Sequence, residues 1–156
     1  MKKLVIFISI IVVIFGALAF LTTYQNKQKA EGNPYGKSNL DPATIGQLED
    51  PLYQNQILPD DLKQRLDDGE TLTVYFYSPT CVYCQQTTPI VGPLAEELGI
   101  DLKRFNLLEF EDGWNNFNIE STPTIIHFVD GVEERRIVGL QEEDVFKSWL
   151  SEIEAK

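Results

Sequence analysis

Apolar and polar positions divide this chain of 156 residues into two regimes. Between Leu4 and Leu21 the run is apolar apart from Ser9, Gly16 and small alanines, and it shows no period. At about 1.5 Å per residue it reaches roughly 27 Å, enough to cross a hydrocarbon core. Lys2 and Lys3 precede it, so the positive-inside tendency places the N-terminus in the cytoplasm and the rest of the chain outside. A cleaved signal peptide is the competing reading, because Ala17-Leu18-Ala19 fits a small-x-small site near Ala19. The apolar run continues through Phe20 and Leu21, which favours an uncleaved membrane anchor over residues 1–21. Both readings export the remainder of the chain.

Residues 22–48 are polar and punctuated by Asn, Gln, Lys, Gly and Pro, which reads as a flexible linker with a span near 30 Å. Regular patterning begins with the segment 49–156. Leu58, Leu62 and Leu66 recur at helical spacing after Pro59-Asp60-Asp61, a proline and acidic helix start, and Asp67-Asp68-Gly69 stops that helix. Leu72 to Tyr77 (LTVYFY) is a β-branched and aromatic run suited to a buried strand. A helix is predicted from Cys81 to about Leu98, interrupted by Pro89 and by Gly92-Pro93. Asp101 to Leu107 reads as a strand and Glu109 to Phe117 as a short helix. Thr124 to Val129 and Glu133 to Val138 form a hairpin around Asp130-Gly131. Glu142 to Ala155 closes the chain as an amphipathic helix with Val145, Phe146, Trp149, Leu150 and Ile153 on one face. Helix-connected strands first and a hairpin last predict an α/β fold, a mixed central sheet covered by helices on both faces.

Charge narrows the class. The net charge is −11, and from Asp41 onward 23 acidic residues stand against 8 basic ones, a balance of about −15. Such a domain repels nucleic acid and anionic surfaces.

Candidate chemistry is confined to Cys81-Val82-Tyr83-Cys84, which holds both cysteines of the chain. The pair lies where a strand gives way to a helix. A thiol at a helix N-terminus meets unpaired N–H groups and the positive end of the helix dipole, and both favour the thiolate that attacks disulfides. The second thiol follows one turn later, within reach of a disulfide. A purely structural disulfide gains little from so short a loop. A zinc site would have only His127 to add to the two thiols, short of the usual four ligands. Redox chemistry is the leading reading, and an exported chain with one close thiol pair is consistent with an oxidising setting.

Residues 50–156 resemble the thioredoxin-fold family on four features in order: the C-V-Y-C pair after a hydrophobic strand, Pro89 five residues beyond Cys84, Thr122-Pro123-Thr124 opening the next core strand, and Gly139 after the hairpin. The resemblance implies a thioredoxin-like three-layer fold, here preceded by one transmembrane helix, of the membrane-anchored type found in Gram-positive bacteria. It implies that Cys81 is the nucleophile, that Cys84 resolves the mixed disulfide, and that the two form a redox-active disulfide. Thr122 and Pro123 would lie against the sulfurs and bind an extended substrate chain, with Gly139 facing the site. Tyr83, inside the motif, is expected to be exposed and either to tune the pair or to contact substrate. No cofactor or metal is implied. Partners would be protein thiols and disulfides, together with a membrane or extracytoplasmic redox partner.

Departures from the family pattern bear on direction. Thioredoxins carry Trp before the first cysteine and Gly-Pro between the two, where this chain has Thr80 and Val82-Tyr83. They bury an aspartate where Tyr75 stands, and Arg104 occupies about the place of its lysine partner. Glu109 or Glu111 is then a candidate proton acceptor. The rival reading is an accessory or chaperone-like module of a peptide (bacteriocin-type) export system, and a third is copper or zinc carriage by the two thiols. His127 is expected to be a hydrogen-bonded strand residue, Trp114 and Trp149 packing residues, and Arg135-Arg136 a solvated hairpin edge.

Overall fold

The structure, a computed structural model, describes residues 2–154. Six α-helices are present among them: α1 (Lys2–Lys29), α2 (Pro42–Ile45), α3 (Pro59–Asp67), α4 (Val82–Glu97), α5 (Asp112–Asn116) and α6 (Glu143–Glu154). Four strands, β1 (Leu72–Tyr77), β2 (Leu102–Asn106), β3 (Thr124–Val129) and β4 (Val132–Val138), form one sheet in the order β2-β1-β3-β4. β1 is buried along its whole length because it pairs on both edges, parallel to β2 through the α4 crossover and antiparallel to β3. A short fifth edge adjoins β2, where Gln56 bridges Arg104 in the parallel sense.

Alternation along β1 sorts two cores. Tyr75 and Tyr77 face α4 and α6 with Ile125, Val91, Leu94, Phe146 and Leu150. Val74 and Phe76 face the opposite layer with Leu62, Phe105, Ile126 and Phe128. The three-layer thioredoxin fold expected from the sequence is what the chain adopts. The β3–β4 turn places Asp130 and Gly131 at φ 50° and 76°, the left-handed pair that a tight hairpin needs. Gly131 is required for space as well, since a Cβ there would lie 2.0 Å from the Leu66 carbonyl oxygen.

Two expectations about helices change. Pro89 and Pro93 lie inside a single helix α4 and do not interrupt it. Burial of Thr87, Thr88, Val91, Leu94 and Ala95 against the sheet offsets the backbone hydrogen bonds that the prolines cannot make. The helix expected over 109–117 shortens to α5, whose Gly113 sits where any side chain would strike Phe105 and Leu107. In α6, Phe146, Leu150 and Ile153 are buried as expected, whereas Val145 is exposed; Ala155 lies outside the described residues.

The segment expected to be a free linker differs most. α1 runs past the apolar stretch to Lys29, and its Lys3–Gln28 portion is long and apolar enough to cross a membrane, with its large apolar side chains exposed. Residues 30–48 then lie against the domain as a strap, with Ala30, Tyr35, Leu40 and Ile45 buried. The Tyr35 hydroxyl meets that of Tyr77 at 3.3 Å and accepts from Asn106 Nδ2 at 3.3 Å. Asn106 also donates to Thr44 Oγ1 at 3.2 Å. Lys37 pairs with Glu109 at 3.2 Å, and the Asp41 N–H donates to the same carboxylate at 2.9 Å. Tyr35, Leu40 and Ile45 recur every five residues, a spacing that matches neither strand nor helix and so leaves no periodic signal.

Tyr35→Ala tests the strap. Removing a buried aromatic side chain costs about 3 kcal/mol, so urea unfolding of the full chain in detergent should shift to clearly lower concentration. A detached linker would leave the midpoint unchanged.

Candidate active site

β1 ends at Tyr77, and Ser78-Pro79-Thr80 turns the chain so that α4 starts beneath its own first cysteine. Cys81 is the N-cap of α4, with extended backbone, and its Sγ accepts from the Cys84 N–H at 3.1 Å. A sulfur therefore occupies the place where a serine or aspartate oxygen usually satisfies the first helical turn. Both thiols are free; Cys81 is half-buried and Cys84 is buried. The two do not share an environment.

Opposite the helix start, the Cys81 thiol donates to the Thr122 carbonyl oxygen at 3.4 Å, across a cis Thr122-Pro123 bond. The Gly139 N–H donates to the Pro123 carbonyl at 2.8 Å, which ties the end of β4 to the same loop. Gly139 has φ 81°, and a Cβ there would meet nothing closer than 3.9 Å, so conformation rather than space calls for glycine. Cys81, Cys84, Thr122, Pro123 and Gly139 are thus brought together. Val82 and Tyr83 stand exposed on the first turn of α4.

Burial pushes the Cys84 thiol up to about 12, and its contact with Cys81 adds to this, while Ser78 and Thr122 pull the other way. At neutral pH Cys84 is a protonated thiol under the surface, and Cys81 is the sulfur that a substrate meets first.

Beneath Cys84 lies a floor of hydroxyls. Thr88 donates to the Cys84 carbonyl at 2.8 Å, and the Tyr75 hydroxyl approaches the same oxygen at 3.3 Å and Thr88 Oγ1 at 3.2 Å. Rings of Tyr75 and Tyr77 stack at 5.5 Å, and Tyr53 lies 5.7 Å from Tyr77. Tyr75 is also the cross-strand neighbour of Arg104.

Neither acidic candidate joins this floor. Glu109 is engaged by Lys37 and Asp41 of the strap, in the layer across the sheet from α4, and Glu111 is exposed next to α5. His127 meets Thr73 Oγ1 at 3.0 Å on β3 and takes no part in the site. Among the described residues, His, Cys, Asp and Glu side chains do not gather in groups of three or more that could hold a metal. The polar floor itself escaped the sequence reading. Its signal was present in β1, where Thr73, Tyr75 and Tyr77 place a hydroxyl at every second position of an otherwise apolar strand.

Residues 55–152 match the family model described as Thioredoxin. The thioredoxin of Rickettsia prowazekii is 25% identical over 109 residues, which cover 69% of this chain and 96% of that protein. The thioredoxin of Chlamydia pneumoniae is 32% identical over 79 residues, covering 50% of this chain and 78% of that one. Among solved structures, a point mutant of thioredoxin from Halobacterium salinarum superposes with a TM-score of 0.52 at 27% identity, over 60% of this chain and 82% of that chain.

The difference between the thiols is measurable. Reduced chain treated with iodoacetamide at pH 7 should carry the label on Cys81, with Cys84 spared; equal labelling in peptide mass spectra would contradict the geometry. Because Cys84 titrates higher folded than unfolded, the stability it contributes is complete below its ordinary range near 8.5 and is lost as pH rises toward about 12. The reduced chain should therefore lose stability over that alkaline window, and Cys84→Ser should remove this component.

Proposed function

The chain belongs to the thioredoxin family and is a thiol-disulfide oxidoreductase, and from that premise we propose that it is held on a membrane and exchanges disulfides with extracytoplasmic protein substrates through Cys81 and Cys84. The observation that carries this reading is the half-buried Cys81 sulfur at the start of α4, beside the buried Cys84 and facing Thr122. In the reducing direction, Cys81 attacks a substrate disulfide and forms a mixed disulfide, and one substrate sulfur leaves as thiolate. Cys84 then attacks Cys81 Sγ, the Cys81–Cys84 bond forms, and the second substrate sulfur leaves. The Cys84 proton passes to the departing sulfur or to solvent, because no carboxylate among the described residues is in contact with it. Reversal delivers a disulfide. Electrons move only between sulfurs, so the exchange itself calls for no cofactor.

Thr122, Pro123 and Gly139 form the wall against which an extended substrate segment would lie, and Tyr83 and Val82 supply exposed apolar surface beside it. The exposed apolar surface of α1 supports insertion in a bilayer, and Lys2 and Lys3 ahead of it support a cytoplasmic N-terminus with the dithiol outside. A second thiol-bearing protein at the membrane or beyond it would reset the pair after each turnover.

Cys84→Ser removes the resolving step, so the full chain expressed in a membrane-bounded host should accumulate mixed disulfides through Cys81. Non-reducing gels and mass spectrometry would name the partners. Recovery of no adducts, or adducts that persist when Cys81 is also replaced, would refute the mechanism. Labelling of the adducts by a membrane-impermeant maleimide after reduction on intact cells tests the placement.

A further inference from the structure

A groove opens between α3 and α5, on the face of the sheet away from α4, and the exchange chemistry makes no use of it. Its volume is about 960 Å³, at the upper end of the range for small-ligand sites. Phe105 forms a buried floor, and Leu66, Leu108, Phe110 and Phe117 line it half-buried. Gly113 keeps the floor low, since a Cβ there would lie 2.5 Å from the Phe105 ring.

One end of the groove already holds a cation. Lys37 of the strap reaches in: its Nζ pairs with the Glu109 carboxylate at 3.2 Å, donates to the Glu109 carbonyl and lies 4.8 Å from the centroid of the Phe110 ring. A carboxylate, a carbonyl and a ring face are what an ammonium group needs once it leaves water. The rest of the rim offers acid beside apolar surface with no cation of its own to spare. Lys63 is matched by Asp67. Asp60, Glu111 and Asp112 are exposed and make no ion pair among the described residues. Five carboxylates therefore stand against two ammonium groups around one apolar floor. Asp60 and Asp112 lie in the first turns of α3 and α5, where the helix dipole accommodates their charge. Glu111 precedes α5 without a side-chain capping bond to it.

An apolar floor under a negative rim is selective. Anionic ligands are repelled by the rim and by the balance of 23 acidic to 8 basic residues from Asp41 onward. A purely apolar segment would take water from the rim carboxylates and give them no partner. We propose that this groove binds a basic segment of a partner protein, in which lysine or arginine is interspersed with apolar side chains, and that it does so without thiol exchange. The apolar side chains lie over Phe105 and Phe117, and the cations meet Asp60, Glu111 and Asp112 as Lys37 meets Glu109. The dithiol lies at the start of α4 on the other side of the sheet, so a partner held in the groove leaves Cys81 open. Retention of a partner is thereby separable from chemistry on it.

The probe is a rhodamine-labelled, cysteine-free peptide, Lys-Phe-Lys-Leu-Lys-Phe, titrated with the full chain in non-ionic detergent and read by fluorescence anisotropy against empty micelles. Saturable binding at about 100 μM or tighter is expected at low salt, weakened about ten-fold when the ionic strength is raised about ten-fold. Glu111→Lys should weaken it about ten-fold. Binding should persist in the chain with Cys81→Ser and Cys84→Ser, which separates it from exchange. Absence of saturable binding overturns the inference, as does equal binding of a peptide with glutamate in place of every lysine, or a Glu111→Lys affinity within two-fold of the unsubstituted chain. Location is read without substitution in the chain: with benzoylphenylalanine in place of phenylalanine, photocrosslinks should fall within residues 59–67 and 105–117. Crosslinks at Val82 and Tyr83 or along α1 overturn the inference and leave the exchange function standing. So does self-association of the chain that the peptide cannot displace, which gives the groove to a second copy.

Discussion

Everything in this molecule hangs on the two-sided burial of β1. A central strand with both edges paired and both faces covered has no route to water for any polar group it carries. Apolar side chains meet that constraint on the face toward α3 and α5, where Val74 and Phe76 pack. On the face toward α4 the strand carries Thr73, Tyr75 and Tyr77, and each hydroxyl has to find a partner inside the protein. Thr73 meets His127, Tyr75 meets Thr88 and the Cys84 carbonyl, and Tyr77 meets Tyr35 and Gln56. The placement of β3, the first turns of α4 and the strap follows in part from these obligations.

That arrangement ties the chemistry to the fold. Cys84 is buried because α4 must lie flat on β1, and a buried thiol gives up its proton reluctantly. A carboxylate beneath it would offer a proton acceptor; here the hydroxyls of Tyr75 and Thr88 offer hydrogen bonds to its carbonyl instead. Sequence similarity to thioredoxins extends over the fold and the dithiol, and the departure lies in the hydroxyl layer beneath Cys84.

Legibility in the sequence followed periodicity. β1, β3, the Asp130-Gly131 hairpin and the amphipathic face of α6 were readable because each buries a regular set of positions. The pair at Cys81 and Cys84 was readable because a strand, a turn and a helix start are all local signals. Three things were not. α4 survives Pro89 and Pro93 because tertiary burial outweighs local propensity. The strap folds through single residues, Tyr35, Leu40 and Ile45, each captured by a different part of the domain. Arg104 read as a substitute for a family lysine, but its isolation from any carboxylate depends on which face each of its neighbours takes, and Glu109 faces the other way.

The strap changes what anchoring would mean. A flexible tether of the expected length would let Cys81 sweep roughly 30 Å and reach partners in many orientations. Here α1 ends at Lys29, Ala30 is already buried, and Tyr35, Lys37, Asp41 and Thr44 are each bonded to the domain. Little slack separates the apolar helix from the sheet that carries the dithiol. With α1 in a bilayer, the sulfurs sit at a height and orientation fixed by packing, and the effective concentration toward a partner at the same surface depends on geometry. Under that arrangement, substrates that present cysteines at that height would gain, and those that could not approach it would be excluded without any contact at the site. The hydroxyl of Tyr77 that the strap satisfies belongs to the ring stacked on Tyr75, so the strap and the floor that underlies Cys84 meet at two packed phenol rings.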